Sequence, residues 1–133
     1  MKTCVGCNIS KPYTEYYKST TSKKDGYNRY CIQCCKVNRS LEAVRKRDRT
    51  SRISYRQEYR AKELGIHYEE GILLVEVFRT HRGICYICES WVAAGHASLD
   101  HIRPLSKGGT HTHDNIGLTH IKCNLRKSDK YNG

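Results

Sequence analysis

Four short half-sites constrain this chain more than its apolar residues do: Cys4-Val-Gly-Cys7, Cys31-Ile-Gln-Cys34, Cys85-Tyr-Ile-Cys88 and His120-Ile-Lys-Cys123. They hold seven of the eight cysteines. A two-residue spacing on a tight turn aims two ligand atoms at one point, so the half-sites taken in order make two closed tetrahedral sets suited to zinc. Such help is needed. Only 25 of 133 residues are Ile, Leu, Val or Phe, and the net charge is +11. A chain this poor in aliphatic residues and this charged stays disordered unless metal or cross-links supplement its small cores. A large enzyme with an extensive apolar core is excluded.

The start, Met-Lys-Thr-Cys, shows no apolar signal region, and the longest aliphatic run is Ile72-Leu73-Leu74-Val75, too short to span a bilayer. The expectation is a cytoplasmic chain without membrane attachment, in a compartment where thiols stay reduced and bind metal. The surplus of basic residues fits an acidic partner, nucleic acid first among them.

Three regions follow from composition: 1–37, 38–64 and 65–133. The first holds five cysteines interleaved with tyrosines, and an Asp25-Gly26 hairpin signal between its two knuckles. This pattern predicts a zinc ribbon on Cys4, Cys7, Cys31 and Cys34. Cys35 is an alternative to Cys34, although the two-residue spacing favours Cys34. Four thiolates leave no open coordination position, so this zinc staples the fold and does no chemistry.

Residues 38–64 lack Gly and Pro, which predicts one basic helix. Arg45, Arg49, Arg52, Arg56 and Arg60 would fall within about 80° of arc on it, beside a stripe of Leu41, Val44, Tyr55 and Tyr59 able to dock on a neighbouring module. Guanidinium groups bind phosphate oxygens well, so this face is a candidate DNA-binding ridge; a solvated charged linker is the competing reading.

The third region is expected to open with a short helix over about 69–80, ended by Gly83. Cys85, Cys88, His120 and Cys123 then supply the second zinc set and fold the residues between them into a loop. Inside that loop lies Asp100-His-Ile-Arg-Pro-Leu-Ser-Lys-Gly-Gly-Thr110, followed by Asp114-Asn115 and by Cys123-Asn-Leu-Arg-Lys127. In this order and spacing these motifs resemble the HNH nucleases, whose ββα-metal (His-Me) core is often bracketed by zinc knuckles. The likeness covers about half of the chain. More loosely, the N-terminal knuckles resemble zinc ribbons fused to phage nucleases, including relatives of endonuclease VII; a phage-encoded chain would work in the host-cell cytoplasm.

The resemblance implies a small α+β fold, a ββα-metal core stapled by zinc and preceded by a zinc ribbon and a basic helix. It implies His101 as the general base, Asp100 as a metal ligand, and Asn115 as the residue that orients the catalytic imidazole through its backbone. Asn124 stands at the last motif position and completes the site of one catalytic Mg²⁺ or Mn²⁺, which makes this an H-N-N variant. His120 stands where a fourth zinc cysteine is commoner. The implied function is hydrolysis of DNA, taken as double-stranded.

The chemistry is coherent without the family. Phosphodiester hydrolysis needs a base that is neutral near pH 7 and a hard cation to offset developing charge. Oxygen donors suit such a cation. Neighbouring residues on a strand point to opposite faces, so Asp100 and His101 predict a distortion at the strand end. Arg103, Lys107 and Lys127 are candidate phosphate contacts. His111 and His113 are expected exposed in the Gly-rich loop, and Trp91 in the core. A non-enzymatic zinc-dependent DNA-binding protein is the main alternative, and an RNA-binding module a third; neither needs His101.

Overall fold

The structure is a computed structural model that describes residues 1–22 and 24–128. The chain divides into two compact units, Met1–Arg39 and Ser40–Gly133. Among the described residues, no helix is long and apolar enough to cross a membrane.

The first unit is built from two small antiparallel pairs, β1 (Lys2–Thr3) with β2 (Ser10–Lys11) and β3 (Tyr16–Lys18) with β4 (Tyr27–Cys31). Asp25 does what a turn aspartate does: its carboxylate accepts the Tyr27 N–H at 3.0 Å and meets Lys2 Nζ at 2.5 Å. The buried cluster here is Cys4, Tyr16, Cys31 and Cys34, with Cys7, Tyr27 and Tyr30 against it. It contains no Ile, Leu or Val, so thiols and tyrosine rings stand in for an aliphatic core.

Helix α1 (Ile32–Ser51) starts directly after β4, six residues earlier than expected, and it does not run on to Leu64. It ends before Arg52, whose backbone is left-handed (φ 53°, ψ 40°), and α2 (Ile53–Glu63) follows. The single basic helix is therefore two. No Gly or Pro makes the break; side-chain competition for backbone groups does. The Thr50 hydroxyl bonds back to the carbonyls of Lys46 and Arg47, both at 3.1 Å. Asp48 accepts the N–H of Ser54 at 2.8 Å, and the Ser54 hydroxyl in turn accepts the Leu74 N–H at 2.8 Å. The phase reset at Arg52 also divides the five-arginine face. The tyrosine stripe is not a docking surface within the unit: Val44 is buried, but Tyr55 and Tyr59 are 54% and 50% exposed and stack on each other at 5.9 Å.

Helix α3 (Leu74–Thr80) begins later than the pattern suggested, after a turn at Gly71. Strands β5 (Ala97–His101) and β6 (Ile116–His120) pair antiparallel in regular register from Ala97↔His120 to His101↔Ile116, and α4 (Ile121–Lys127) follows β6 directly. This is the ββα arrangement. Helices α3 and α4 both pack on the hairpin, and α2 reaches β5, where Gln57 Nε2 donates to the Leu99 carbonyl at 3.4 Å. The core between them holds Ile72, Leu74, Phe78, Leu99 and Leu118. Trp91, only partly buried, meets Phe78 edge-on at 5.7 Å.

Gly117 interrupts β6 for a steric reason. A Cβ there would lie 2.5 Å from Cδ1 of Tyr86, so the missing side chain makes room for that ring beside the Asp100↔Gly117 pair. Gly117→Ala should lower stability by about 1–3 kcal/mol, the usual scale for overpacking a filled site, and urea unfolding measures it. An unchanged midpoint would mean that the ring moves aside freely.

Candidate active site and metal centres

Cys4, Cys7, Cys31 and Cys34 bring four sulfur atoms within 4.8 Å of one another; Cys85, Cys88, His120 and Cys123 do the same with three sulfurs and one ring nitrogen. Cys34, not Cys35, completes the first set: the Cys35 thiol instead points to the Tyr30 carbonyl, 3.7 Å away. The knuckle backbones donate to the sulfurs. Cys4 Sγ accepts N–H groups of Gly6 at 3.3 Å and Cys31 at 3.2 Å, and Cys31 Sγ accepts the Lys11 ammonium at 3.3 Å. Burial pushes the Cys4 thiol up, but the N–H groups of Cys31, Cys7 and Gly6 outweigh it and leave Cys4 at about 6. Burial and the neighbouring sulfurs push Cys34 up to about 12.

The second set repeats this contrast. Burial raises Cys85, yet N–H groups of Cys88 and His120 and the Thr119 hydroxyl bring it down to about 6. Burial, with Cys88 and Cys85, lifts Cys123 to about 11. Burial disfavours charge on clustered thiols, a cost that a divalent cation would offset. His120 is oriented as a ligand should be. Its Nε2 donates to the Trp91 carbonyl at 2.9 Å, which turns Nδ1 toward Cys88 and Cys123 at 3.4 and 3.7 Å. Both sets fit zinc.

A cleft of about 280 Å³ lies at the end of the ββα element, lined by Asp100, His101 and Asn124 together with Gln57, Arg60 and Ser106. The expected distortion is not found in the register of β5, which stays regular through His101; both residues nonetheless contribute to this one cleft. The Asp100 carboxylate accepts the Tyr86 hydroxyl and meets the Lys127 ammonium at 3.0 Å, both on Oδ2. Its other oxygen is the donor available to a cation. Asp100 and Asn124 line the same cleft, and a carboxylate and an amide oxygen are donor types that a hard divalent cation takes. Burial first, then the Asp100 carboxylate, pushes the Tyr86 phenol well above its ordinary range, so Tyr86 donates its proton to Asp100 without losing it.

His101 is 5% exposed. Burial, the neighbouring His111 and the charges of Arg60 and Lys127 hold it down to about 4, so the imidazole is neutral at pH 7. Asn115 does not touch the imidazole. Its carbonyl accepts the Ile102 N–H at 2.8 Å, and its side chain bridges Arg103 N, Arg103 O and Thr110 O at 2.9, 3.0 and 2.7 Å. Asn115 therefore fixes the chain leaving His101 and closes the Ser-Lys-Gly-Gly loop. The ring itself is met by His111, expected exposed but fully buried, whose Nδ1 lies 3.0 Å from His101 Nε2. His113 is at the surface, paired with Glu69 at 2.7 Å.

The candidate phosphate contacts separate in space. Arg60 lines the His101 cleft, whereas Arg45, Arg49 and Arg52 line another cleft with Asp48 and Tyr55. Arg45 and Arg49 also face Glu42, at 3.8 and 3.3 Å. Arg103 braces the loop by donating Nε to the Lys107 carbonyl at 2.7 Å, and Lys107 is exposed. Lys127 is an internal group rather than a surface one: besides Asp100 it holds the His101 carbonyl at 3.0 Å. Two site residues escaped sequence reasoning. Tyr86 had no assigned role, though Gly117 opposite it is a signal of close approach. His111 sits in a loop of turn residues where burial leaves no local trace.

Elemental analysis of protein purified without added metal should find two zinc ions per chain. Cys34→Ser should lose one of them and Cys35→Ser neither; a loss with Cys35→Ser would transfer the fourth ligand to Cys35.

No curated protein matches the chain. Residues 85–132, from the first cysteine of the second ligand set across the cleft residues Asp100, His101, Asn115 and Asn124, match the family model described as HNH endonuclease. The match covers a little over a third of the sequence and contains all of the ββα element. By this match, this part of the chain is similar to the HNH endonuclease family.

Proposed function

We propose that the protein is a metal-dependent DNA endonuclease, with His101 as the general base and Asp100 and Asn124 as the ligands of one Mg²⁺ or Mn²⁺. The observation that carries this reading is the meeting of a buried neutral imidazole, a carboxylate and an amide in one cleft, with Arg60 beside them. A cation bound by Asp100 and Asn124 supplies charge to offset that developing on the phosphoryl and leaving oxygens. His101 takes a proton from water while the water oxygen bonds to phosphorus and the bond to the 3′ oxygen breaks. The products carry 5′-phosphate and 3′-hydroxyl ends. Tyr86 and Lys127 hold the Asp100 carboxylate in place, and Asn115 holds the backbone on which His101 is mounted. The two ligand sets carry structural zinc, and the substrate is double-stranded DNA.

Supercoiled plasmid, incubated with and without Mg²⁺ or Mn²⁺, tests the activity. Cutting should require one of these ions. His101→Ala should reduce it by about 10² or more, the scale for losing a general base, while zinc content and DNA binding persist. Undiminished cutting by a purified His101→Ala chain would return the activity to another site.

Only Arg60 of the five arginines lines this cleft. Arg60→Ala should weaken duplex binding and reduce the salt slope by about 1, because one phosphate contact fewer releases about one counterion fewer. Arg45→Ala, already opposed by Glu42, should change the slope much less. Equal effects would restore a single continuous arginine ridge.

A further inference from the structure

His111 directly follows the Asp100–Thr110 motif, and its ring is the only hydrogen-bond partner of the His101 ring among the described residues, at 3.0 Å between Nδ1 and Nε2. It is fully buried, and its own Nε2 is buried with no partner. A polar atom is seldom left in that condition without a reason. The backbone of His111 is clamped on both sides: its N–H donates to the His67 carbonyl at 3.1 Å, and its carbonyl accepts the Glu69 N–H at 2.8 Å. The ring is thus held against His101 by a segment from outside the ββα element.

We propose that His111 is a positioning residue that selects the tautomer of His101. One proton can lie between the two rings. If His111 donated it, His101 Nε2 would be the acceptor and His101 Nδ1 would carry the remaining proton, with no lone pair for water. If His101 donates it from Nε2 to the lone pair on His111 Nδ1, His101 Nδ1 is bare and able to take a proton. Only the second arrangement makes a base. It leaves the proton of His111 on Nε2, which is buried without a partner, a cost that the arrangement carries. As His101 gains its proton from water, the bond from Nε2 to the neutral His111 becomes charge-assisted and strengthens as the reaction proceeds. An acceptor behind a catalytic imidazole has this role in hydrolytic triads, where a carboxylate supplies it; here a neutral imidazole would, adding no negative charge next to the scissile phosphate.

The inference rests on the endonuclease reading for its purpose, but its test does not rest on activity alone. Asn places an amide oxygen where His111 has Nδ1, and Leu places a methyl group there, so His111→Asn and His111→Leu form a matched pair. In the full-length zinc-loaded chain with ¹⁵N-labelled histidine, the His101 ring should show Nε2 protonated and Nδ1 bare at pH 7. His111→Leu should mix the two tautomers and His111→Asn should keep the first. On a duplex oligonucleotide with Mg²⁺, kcat should fall by about 10- to 100-fold in His111→Leu, within the range of general-base catalysis. KM and zinc content should not change, and His111→Asn should recover most of the loss. A wild-type His101 with its proton on Nδ1 would overturn the proposal, as would equal kcat in the two variants. If the wild-type chain cut no DNA with either metal, the endonuclease reading would fall, and the ¹⁵N tautomer would still decide what His111 does.

Discussion

The gathering of four metal-ligand side chains at one point in each unit is the constraint on which this structure depends. In the first unit the buried cluster is three of the four cysteines with Tyr16, and Cys7, Tyr27 and Tyr30 pack against it. In the second unit the ligand set ties the knuckle at Cys85 to the end of β6 and the start of α4. The Tyr86 N–H donates to the Leu118 carbonyl at 3.0 Å, which lays the knuckle along the hairpin. From that position the Tyr86 ring crosses Gly117 and reaches Asp100. A structural metal set thereby holds a residue of the cleft, through one aromatic side chain.

The cleft balances charge with few groups. Asp100 is almost fully buried and is matched by the ammonium of Lys127, while the two imidazoles are kept neutral by burial. Unpaired charge at this depth would be costly, and the arrangement avoids it. Arg60 adds a positive charge at the rim. A phosphate entering here would meet one guanidinium and a neutral imidazole.

The ligand sets were legible because metal chemistry is written in local spacing: two residues between ligands on a tight turn leave few alternatives. The hairpin at Asp25-Gly26 was legible for the same reason. The helix break at Arg52 was not, since breakers were sought as Gly and Pro. It was made by Asp48, Thr50 and Ser54, residues whose short polar side chains compete with the helix for backbone groups. The expected arginine ridge assumed a straight helix at a constant 100° per residue, and the left-handed residue at Arg52 ended that phase relation.

By itself the sequence determined which residues could bind metal, that they fall into two sets, and that Asp100, His101, Asn115 and Asn124 belonged to one motif. These follow from residue type and spacing along the chain. Tertiary structure alone decided which groups touch the His101 imidazole and the Asp100 carboxylate. His111, Tyr86 and Lys127 reach His101 and Asp100 from 10, 14 and 27 positions away. No periodicity connects such distances. They close only when β5 pairs with β6, α4 turns back over the hairpin, and the knuckle is drawn down onto β6.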